Sequence, residues 1–112
     1  MKAVFHIDLN DENIFRLALT NAENLLKARP ETQTHLLVNG PAVKFLCPAN
    51  GSDALDRAEN LLRQGVSIHV CENALRAFDI SKEALLPGCA TVPAGVVALI
   101  ELQQQGCAYI KP

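Results

Sequence analysis

Short apolar runs alternate with stretches of helical periodicity along the chain. Five of these runs have the length and composition of β-strands: residues 3–7, 35–39, 66–70, 90–92 and 107–110. Because a helical stretch follows each of the first four, the pattern indicates βαβ units. The sequence therefore predicts an α/β fold with a mainly parallel sheet that is covered on both faces.

The helical stretches carry apolar stripes and recognisable ends. In the first, apolar residues recur every three or four positions from Phe15 to Leu26, with Asn10 as the predicted N-cap and Pro30 as the stop. The other predicted helices are residues 42–47, residues 53–64, residues 73–78 with Asn73 as a possible cap, a short turn after Ser81, and residues 94–105 with Pro93 at the first position.

Length and composition restrict the class of protein. The chain has 112 residues, 49% of them hydrophobic and 20% charged, which fits one folded domain over residues 1–112. The net charge is −2 and no basic run exists, so we expect no nucleic-acid or membrane partner. The apolar start breaks at His6 and Asp8, too soon for an export signal, and we expect a cytoplasmic protein.

The four cysteines are spread over the chain without any Cys-x-x-Cys pair. This spacing argues against a metal site, and the absence of an export signal argues against a disulfide framework. We expect no cofactor. Cys47, Cys89 and Cys107 lie in or beside apolar segments, so each is predicted to be a buried small hydrophobe.

The predicted ligand site lies where the strands end. In open parallel sheets, ligands bind beyond the carboxyl ends of the strands, and residues 8–10, 39–41 and 71–73 occupy those positions. The candidate ligand-binding residues there are Asn10, Asn39, Gly40 and Asn73. Asp8 is assigned to the loop, and His6 and His35, inside their strands, to structural roles.

Cys71 is the candidate reactive residue. It directly precedes a predicted helix, where unpaired backbone N–H groups and the helix dipole favour a thiolate. Arg76 either folds back toward the sulfur, as a further ligand-binding residue, or remains solvated. His69 lies two residues earlier, about 6.5–7 Å along the strand, which is too far for a catalytic Cys–His pair. A packed, helix-facing histidine is the better interpretation.

The segment Ile68-His69-Val70-Cys71-Glu72-Asn73-Ala74-Leu75-Arg76 resembles the strand–Cys–helix signature of the DsrE/DsrF-like family, which includes the TusD-type sulfur-relay subunits. The resemblance extends over the whole chain in length and element order, and residues 92–110 resemble an uncharacterised branch of that family. Relay subunits usually have a Gly shortly after the Arg, whereas residues 77–79 are Ala-Phe-Asp here. The loop beside the thiol is therefore expected to suit a different partner.

The resemblance implies a three-layer α/β/α domain with five parallel strands in the order 4-3-2-1-5. It also implies a homo-oligomer, commonly a trimer or hexamer, and sulfur donor and acceptor proteins as partners. The apolar character of residues 94–100 on nearly all sides independently favours a homo-oligomer. In relay members the matched cysteine carries sulfur as a persulfide, which here would be Cys71. The alternatives are a binding module, in which Cys71 only lines a ligand pocket, and an assembly subunit.

Overall fold

The structure is a computed structural model that describes all 112 residues. Its strands are β1 (Lys2–Ile7), β2 (Gln33–Val38), β3 (Ser67–Cys71), β4 (Ala90–Val92) and β5 (Ala108–Ile110). Every neighbouring pair is parallel, and the order is β4-β3-β2-β1-β5. The parallel five-stranded sheet and the strand order implied by the resemblance are confirmed.

Four α-helices and three 3₁₀ segments connect the strands. The helices are α1 (Glu12–Ala28), α2 (Ala54–Arg63), α3 (Glu72–Ala77) and α4 (Gly95–Gln104). The 3₁₀ segments are Gly40–Leu46, Pro48–Asn50 and Lys82–Ala84. None of these helices combines the length and the hydropathy that a membrane-spanning segment requires.

Alternating strand residues face two different helical layers. Phe5 and Ile7 of β1 belong to the larger buried cluster, which α1 and α2 complete. Val4, which directly precedes Phe5, belongs to a smaller cluster with Leu99 and Leu102 of α4. Because successive strand side chains point to opposite faces, the sheet lies between α1 and α2 on one side and α4 on the other. The three-layer arrangement is confirmed.

Three predicted helix starts are wrong by one or two residues. Asp11, not Asn10, caps α1, because its carboxylate accepts the backbone N–H groups of Asn13 and Ile14. Pro93 precedes the cap of α4 instead of occupying its first turn. α3 begins at Glu72, so Asn73 lies inside the helix and does not cap it.

The outer face of α4 is apolar and uncovered. Val96, Val97 and Ile100 keep 61%, 50% and 51% of their surface exposed. The sequence left two explanations for so apolar a helix, enclosure by its own domain or cover by a neighbouring subunit. This chain does not enclose it.

Two histidines form a pair beneath α4. His35 Nδ1 of β2 lies 3.0 Å from His69 Nε2 of β3, and the rings stack with their centres 5.2 Å apart. Burial lowers the pKa of both imidazoles; Lys2 lowers the pKa of His35 further, and His35 that of His69. The predicted structural, helix-facing role of His69 agrees with this position.

This pair should make folding sensitive to mild acid. Because the pKa of each imidazole is lowered in the folded chain, the unfolded chain binds protons first as the pH falls. We therefore expect the free energy of unfolding to fall as the pH drops below about 6.5, the ordinary histidine pKa. Urea unfolding at several pH values between 7.5 and 5 measures this free energy. In the double variant His35→Gln/His69→Gln, the free energy of unfolding should change much less with pH. An unchanged pH dependence would contradict the role assigned to the pair.

Candidate functional site

Cys71 occupies the carboxyl end of β3, next to the middle of the sheet. It is the last residue of the strand and the residue that precedes α3. Only 6% of its surface is exposed. The thiol therefore lies just beneath the surface at the edge where the parallel strands end.

The hydrogen-bond donor to this sulfur comes from a distant part of the chain. The backbone N–H of Gly95 points at Cys71 Sγ with an N···S distance of 3.3 Å. Gly95 is the first residue of α4, a ten-residue helix whose N-terminus is the positive end of its dipole. The sequence identified the short helix after Cys71 as the source of stabilisation, but α3 has only six residues. The N–H that reaches the sulfur belongs to α4.

The close approach of α4 requires a residue without a side chain. A Cβ atom on Gly95 would lie 3.1 Å from Asn39 Cβ, 3.2 Å from Cys71 Cβ and 3.3 Å from Leu37 Cδ1. These distances are shorter than ordinary carbon–carbon contacts. Gly95 therefore allows its own N–H to reach the sulfur and seats α4 against the ends of β2 and β3.

A chain of polar side chains leads toward the thiol from β5 and β1, on the same face of the sheet. His6 Nε2 lies 2.8 Å from Asn39 Oδ1, and His6 Nδ1 lies 2.6 Å from the Tyr109 hydroxyl. Asn39 directly follows β2, and its side chain does not cap the 3₁₀ segment that it precedes. The side chain of Asn39 is thus held by His6.

The structure brings together only some of the predicted site residues. Asn39 and Cys71 lie side by side against Gly95. Gly40 has a φ of +56° and packs against the backbone oxygen of Asp8, so it forms the turn between strand ends. Asn10 is exposed and makes no hydrogen bond. Asp8, assigned to the loop, pairs with Lys111.

Asn73 and Arg76 bind each other. The Arg76 guanidinium donates to Asn73 Oδ1, and both side chains are exposed. Arg76 also lines a surface pocket with Lys44, Phe78 and Cys47, and Cys71 is not part of that lining. The sequence left two possibilities for Arg76, folding back toward the Cys71 sulfur or remaining solvated. The structure shows the exposed position and no contact with the sulfur.

Three residues of the site escaped the sequence interpretation: Gly95, His6 and Tyr109. His6 was assigned a structural role because it lies within a strand. The alternation of side chains along a strand could have indicated this role, because it places His6 of β1 and Cys71 of β3 on the same face of the sheet, the face that α4 covers. Gly95 and Tyr109 required knowledge of which elements pack together.

The other three cysteines occupy apolar surroundings. Cys47 and Cys107 are buried, Cys89 is half-buried, and all four thiols are free. Burial raises the pKa of Cys47 and, together with the nearby Cys47, raises the pKa of Cys89 to about 11. The predicted burial agrees with the positions of Cys47 and Cys107, whereas Cys89 is only half-buried.

The comparisons with known proteins are consistent over the full length of the chain. A model of the DsrE/DsrF-like family matches residues 2–112. The chain belongs to this family. A protein of unknown function from Methanobacterium thermoautotrophicum, MTH1491, has a similar structure, with 32% identity, a TM-score of 0.92, and 99% of this chain and 98% of that chain covered. The comparison with curated proteins gives no match.

Two more distant structures share the fold of this DsrE/DsrF-like chain. The ychN protein from E. coli is 18% identical, with a TM-score of 0.79 and 100% of each chain covered. The protein BT1422 of unknown function from Bacteroides thetaiotaomicron is 17% identical, with a TM-score of 0.76, 99% of this chain and 94% of that chain covered. At these identities the likeness concerns the fold alone.

The four thiols should differ in their reaction with iodoacetamide. Cys71 accepts an N–H bond at a helix N-terminus, whereas burial holds Cys47 and Cys89 in the thiol form, which is the unreactive one. At pH 7.5 we expect Cys71 to be alkylated at least about tenfold faster than Cys47 or Cys89. Peptide mapping after timed quenching measures the rates, with urea-unfolded protein as the control. Equal native rates would contradict the distinction.

Proposed function

We propose that this chain is a sulfur carrier that holds a persulfide on Cys71. The single observation that carries the proposal is the N–H of Gly95 directed at Cys71 Sγ from the N-terminus of α4. Family membership supports it, because the DsrE/DsrF-like family is linked to sulfur relay. The thiol also lies at the carboxyl edge of a parallel sheet, the usual location of ligands in such folds.

The proposed transfer needs no external oxidant. The Cys71 thiolate attacks the outer sulfur of a donor persulfide, R–S–SH. A new S–S bond forms on Cys71 while the S–S bond of the donor breaks, and R–S⁻ leaves with the electron pair. An acceptor thiolate removes the outer sulfur by the same exchange in reverse. A cytoplasmic location suits this chemistry, because thiols remain reduced there.

A persulfide on Cys71 would have a hydrogen-bond donor at its inner sulfur. A backbone N–H at a helix N-terminus stabilises negative charge on the atom to which it donates. None of the four thiols is paired in a disulfide. With only 6% of Cys71 exposed, the inner sulfur of a bound persulfide would be shielded, and the outer sulfur would be the one that an acceptor thiolate attacks.

The same low exposure supports the alternative of a binding or assembly module, in which Cys71 only lines the site. In that case the N–H of Gly95 satisfies a buried thiol without any chemistry, since a buried polar group normally has a partner. The two functions differ in whether sulfur bonds to Cys71.

The decisive test is intact-mass analysis after incubation with sodium trisulfide, followed by desalting. We expect the wild-type chain to gain one sulfur and Cys71→Ser to gain none, because only Cys71 has a polar donor at its sulfur. Cys107→Ser, which removes a buried thiol elsewhere, should behave like wild type. Equal gain by Cys71→Ser and wild type, or no gain by either, would favour the binding module.

We further propose that the chain forms a homo-oligomer, a trimer or hexamer, through the outer face of α4. Val96, Val97 and Ile100 form one exposed apolar surface on this helix. Exposed apolar surfaces of this kind mark interaction sites more often than free surface. The polar exposed residues Gln103 and Gln104 lie at the opposite end of the helix, so the contact would be centred on the first two turns.

Multi-angle light scattering tests this assembly. Wild type at micromolar concentration should give a multiple of the 12.1 kDa chain mass. Val97→Glu should shift the protein toward monomer because it would bury a charge at the contact. Gln104→Glu adds the same charge beyond the apolar surface and should leave the mass unchanged. A monomeric wild type would disprove the assembly.

A further inference from the structure

One polar row crosses the sheet at its carboxyl edge, on the face covered by α4. Tyr109 of β5 pairs with Val4 of β1, which places it on the same face as His6. His6 pairs with Leu37 of β2, and Asn39 follows two residues later on that face. Since Val38 pairs with Val70, Asn39 and Cys71 are the next neighbours in register. Tyr109, His6, Asn39 and Cys71 therefore follow one another across four adjacent strands.

The chemistry of the side chains in this row determines which atom donates and which accepts in each hydrogen bond. Asn39 Oδ1 only accepts, so His6 Nε2 must carry a proton and donate it over 2.8 Å. In the neutral imidazole, Nδ1 is then an acceptor, and the Tyr109 hydroxyl donates to it over 2.6 Å. Each side chain thus determines the orientation of the next one toward Cys71.

The orientation leaves one donor group of Asn39 available. With Oδ1 held by His6, the Nδ2 amide group faces away from the imidazole, and it donates to no other atom of the chain. Asn39 is half-buried. The Cβ atoms of Asn39 and Cys71 both lie within 3.2 Å of one point beside Gly95, so the two side chains start next to each other.

We propose that the Asn39 amide N–H binds the outer sulfur of a persulfide on Cys71, and that His6 and Tyr109 are positioning residues that aim it. This inference rests on the proposed function and adds a second hydrogen-bond donor to the proposed persulfide site. Gly95 already donates to Sγ, the inner sulfur of a persulfide. The outer sulfur would lie about 2 Å beyond Sγ, the length of an S–S bond. It carries the charge of the anion and needs a donor of its own.

The loading step with inorganic polysulfide is balanced. The Cys71 thiolate attacks a terminal sulfur of the polysulfide; the Cys–S–S⁻ bond forms, one S–S bond of the polysulfide breaks, and a chain shorter by one sulfur leaves as the anion. The number of S–S bonds and the total charge do not change. The amide of Asn39 would act on the product, by stabilising the outer sulfur after transfer.

The experiment measures, by intact mass, the equilibrium fraction of Cys71 persulfide at a fixed ratio of trisulfide to disulfide anion, the polysulfide that the loading step releases. Asn39→Asp keeps the acceptor for His6 but replaces the amide donor with a negative oxygen, and should lower the loaded-to-unloaded ratio about tenfold or more. His6→Leu and Tyr109→Phe should lower it about two- to fivefold, since the amide remains but is no longer aimed. His6→Gln, which can still donate to Asn39, should recover most of the loading.

A matched control separates positioning from general effects on the sheet. Ser67→Ala removes a hydroxyl on the same sheet face at the opposite edge, where it makes no hydrogen bond, and should load like wild type. Each variant is first shown to have the wild-type urea midpoint; a His6→Leu or Tyr109→Phe variant that does not is replaced by His6→Met or Tyr109→Leu, neither of which can donate a hydrogen bond from its side chain.

Two outcomes are distinguishable. If wild type takes no sulfur on Cys71, the proposed function fails. If wild type loads normally and Asn39→Asp, His6→Leu and Tyr109→Phe load equally well, the positioning inference is overturned while the carrier function stands. Nitrogen-15 NMR of the His6 ring gives an independent check: a proton on Nε2 agrees with the row, and a proton on Nδ1 alone overturns it.

Discussion

The contact between Gly95 and the ends of β2 and β3 is the constraint on which the site depends. A side chain at residue 95 would meet Asn39, Cys71 and Leu37 at once, so a larger residue would push α4 away from the sheet. The far end of the same helix is held by Lys2, whose ammonium donates to the Gln105 carbonyl at 3.1 Å. A cation at that end also complements the helix dipole. With both ends fixed, the positive end of α4 stays on the sulfur.

The fold could be predicted from the sequence because its signals are local. Apolar runs and helical stripes identify strands and helices independently of the rest of the chain, and the bounds miss by only a few residues. Helix caps were less certain, since Asn10 and Asp11 are both good caps and only side-chain geometry selects Asp11. The strand order came from the resemblance and not from the periodicity.

Only those site residues that lie at the ends of strands could be predicted from the sequence. Cys71 and Asn39 end or follow neighbouring parallel strands, so the sequence could place both at one edge. Gly95 lies 24 residues beyond Cys71, and nothing in its own sequence context marks it as the sulfur's donor. Tyr109 meets His6 only because β5 pairs with β1, a non-sequential neighbour. Contacts of this kind depend on sheet topology, which local patterns do not encode.

The charges near Cys71 show that neutral donors, rather than a cation, would stabilise an anionic sulfur. The Arg76 guanidinium donates to Asn73 Oδ1 and makes no hydrogen bond to the thiol. Glu72, next in sequence, carries a negative charge, but Thr91 and Lys82 lower its pKa, and Lys82 Nζ lies 3.3 Å from its carboxylate. The local charges thus largely offset each other. A persulfide anion held there by neutral N–H groups alone would be easier to release than one paired with a buried cation, because hydrogen bonds from neutral donors are weaker than those between charged groups.

The proposed sulfur chemistry and the proposed assembly would both involve one helix. α4 is the sole cover of its sheet face, and its first turn provides both the N–H at Cys71 and the exposed Val96 and Val97. Five strands are too wide for one helix to cover, which leaves Tyr109 at the margin with 43% of its surface exposed. A subunit docking on α4 would therefore act on the same element that holds the thiol. A docking subunit that tilted α4 would change the distance between Gly95 N and Cys71 Sγ, which is 3.3 Å in this structure.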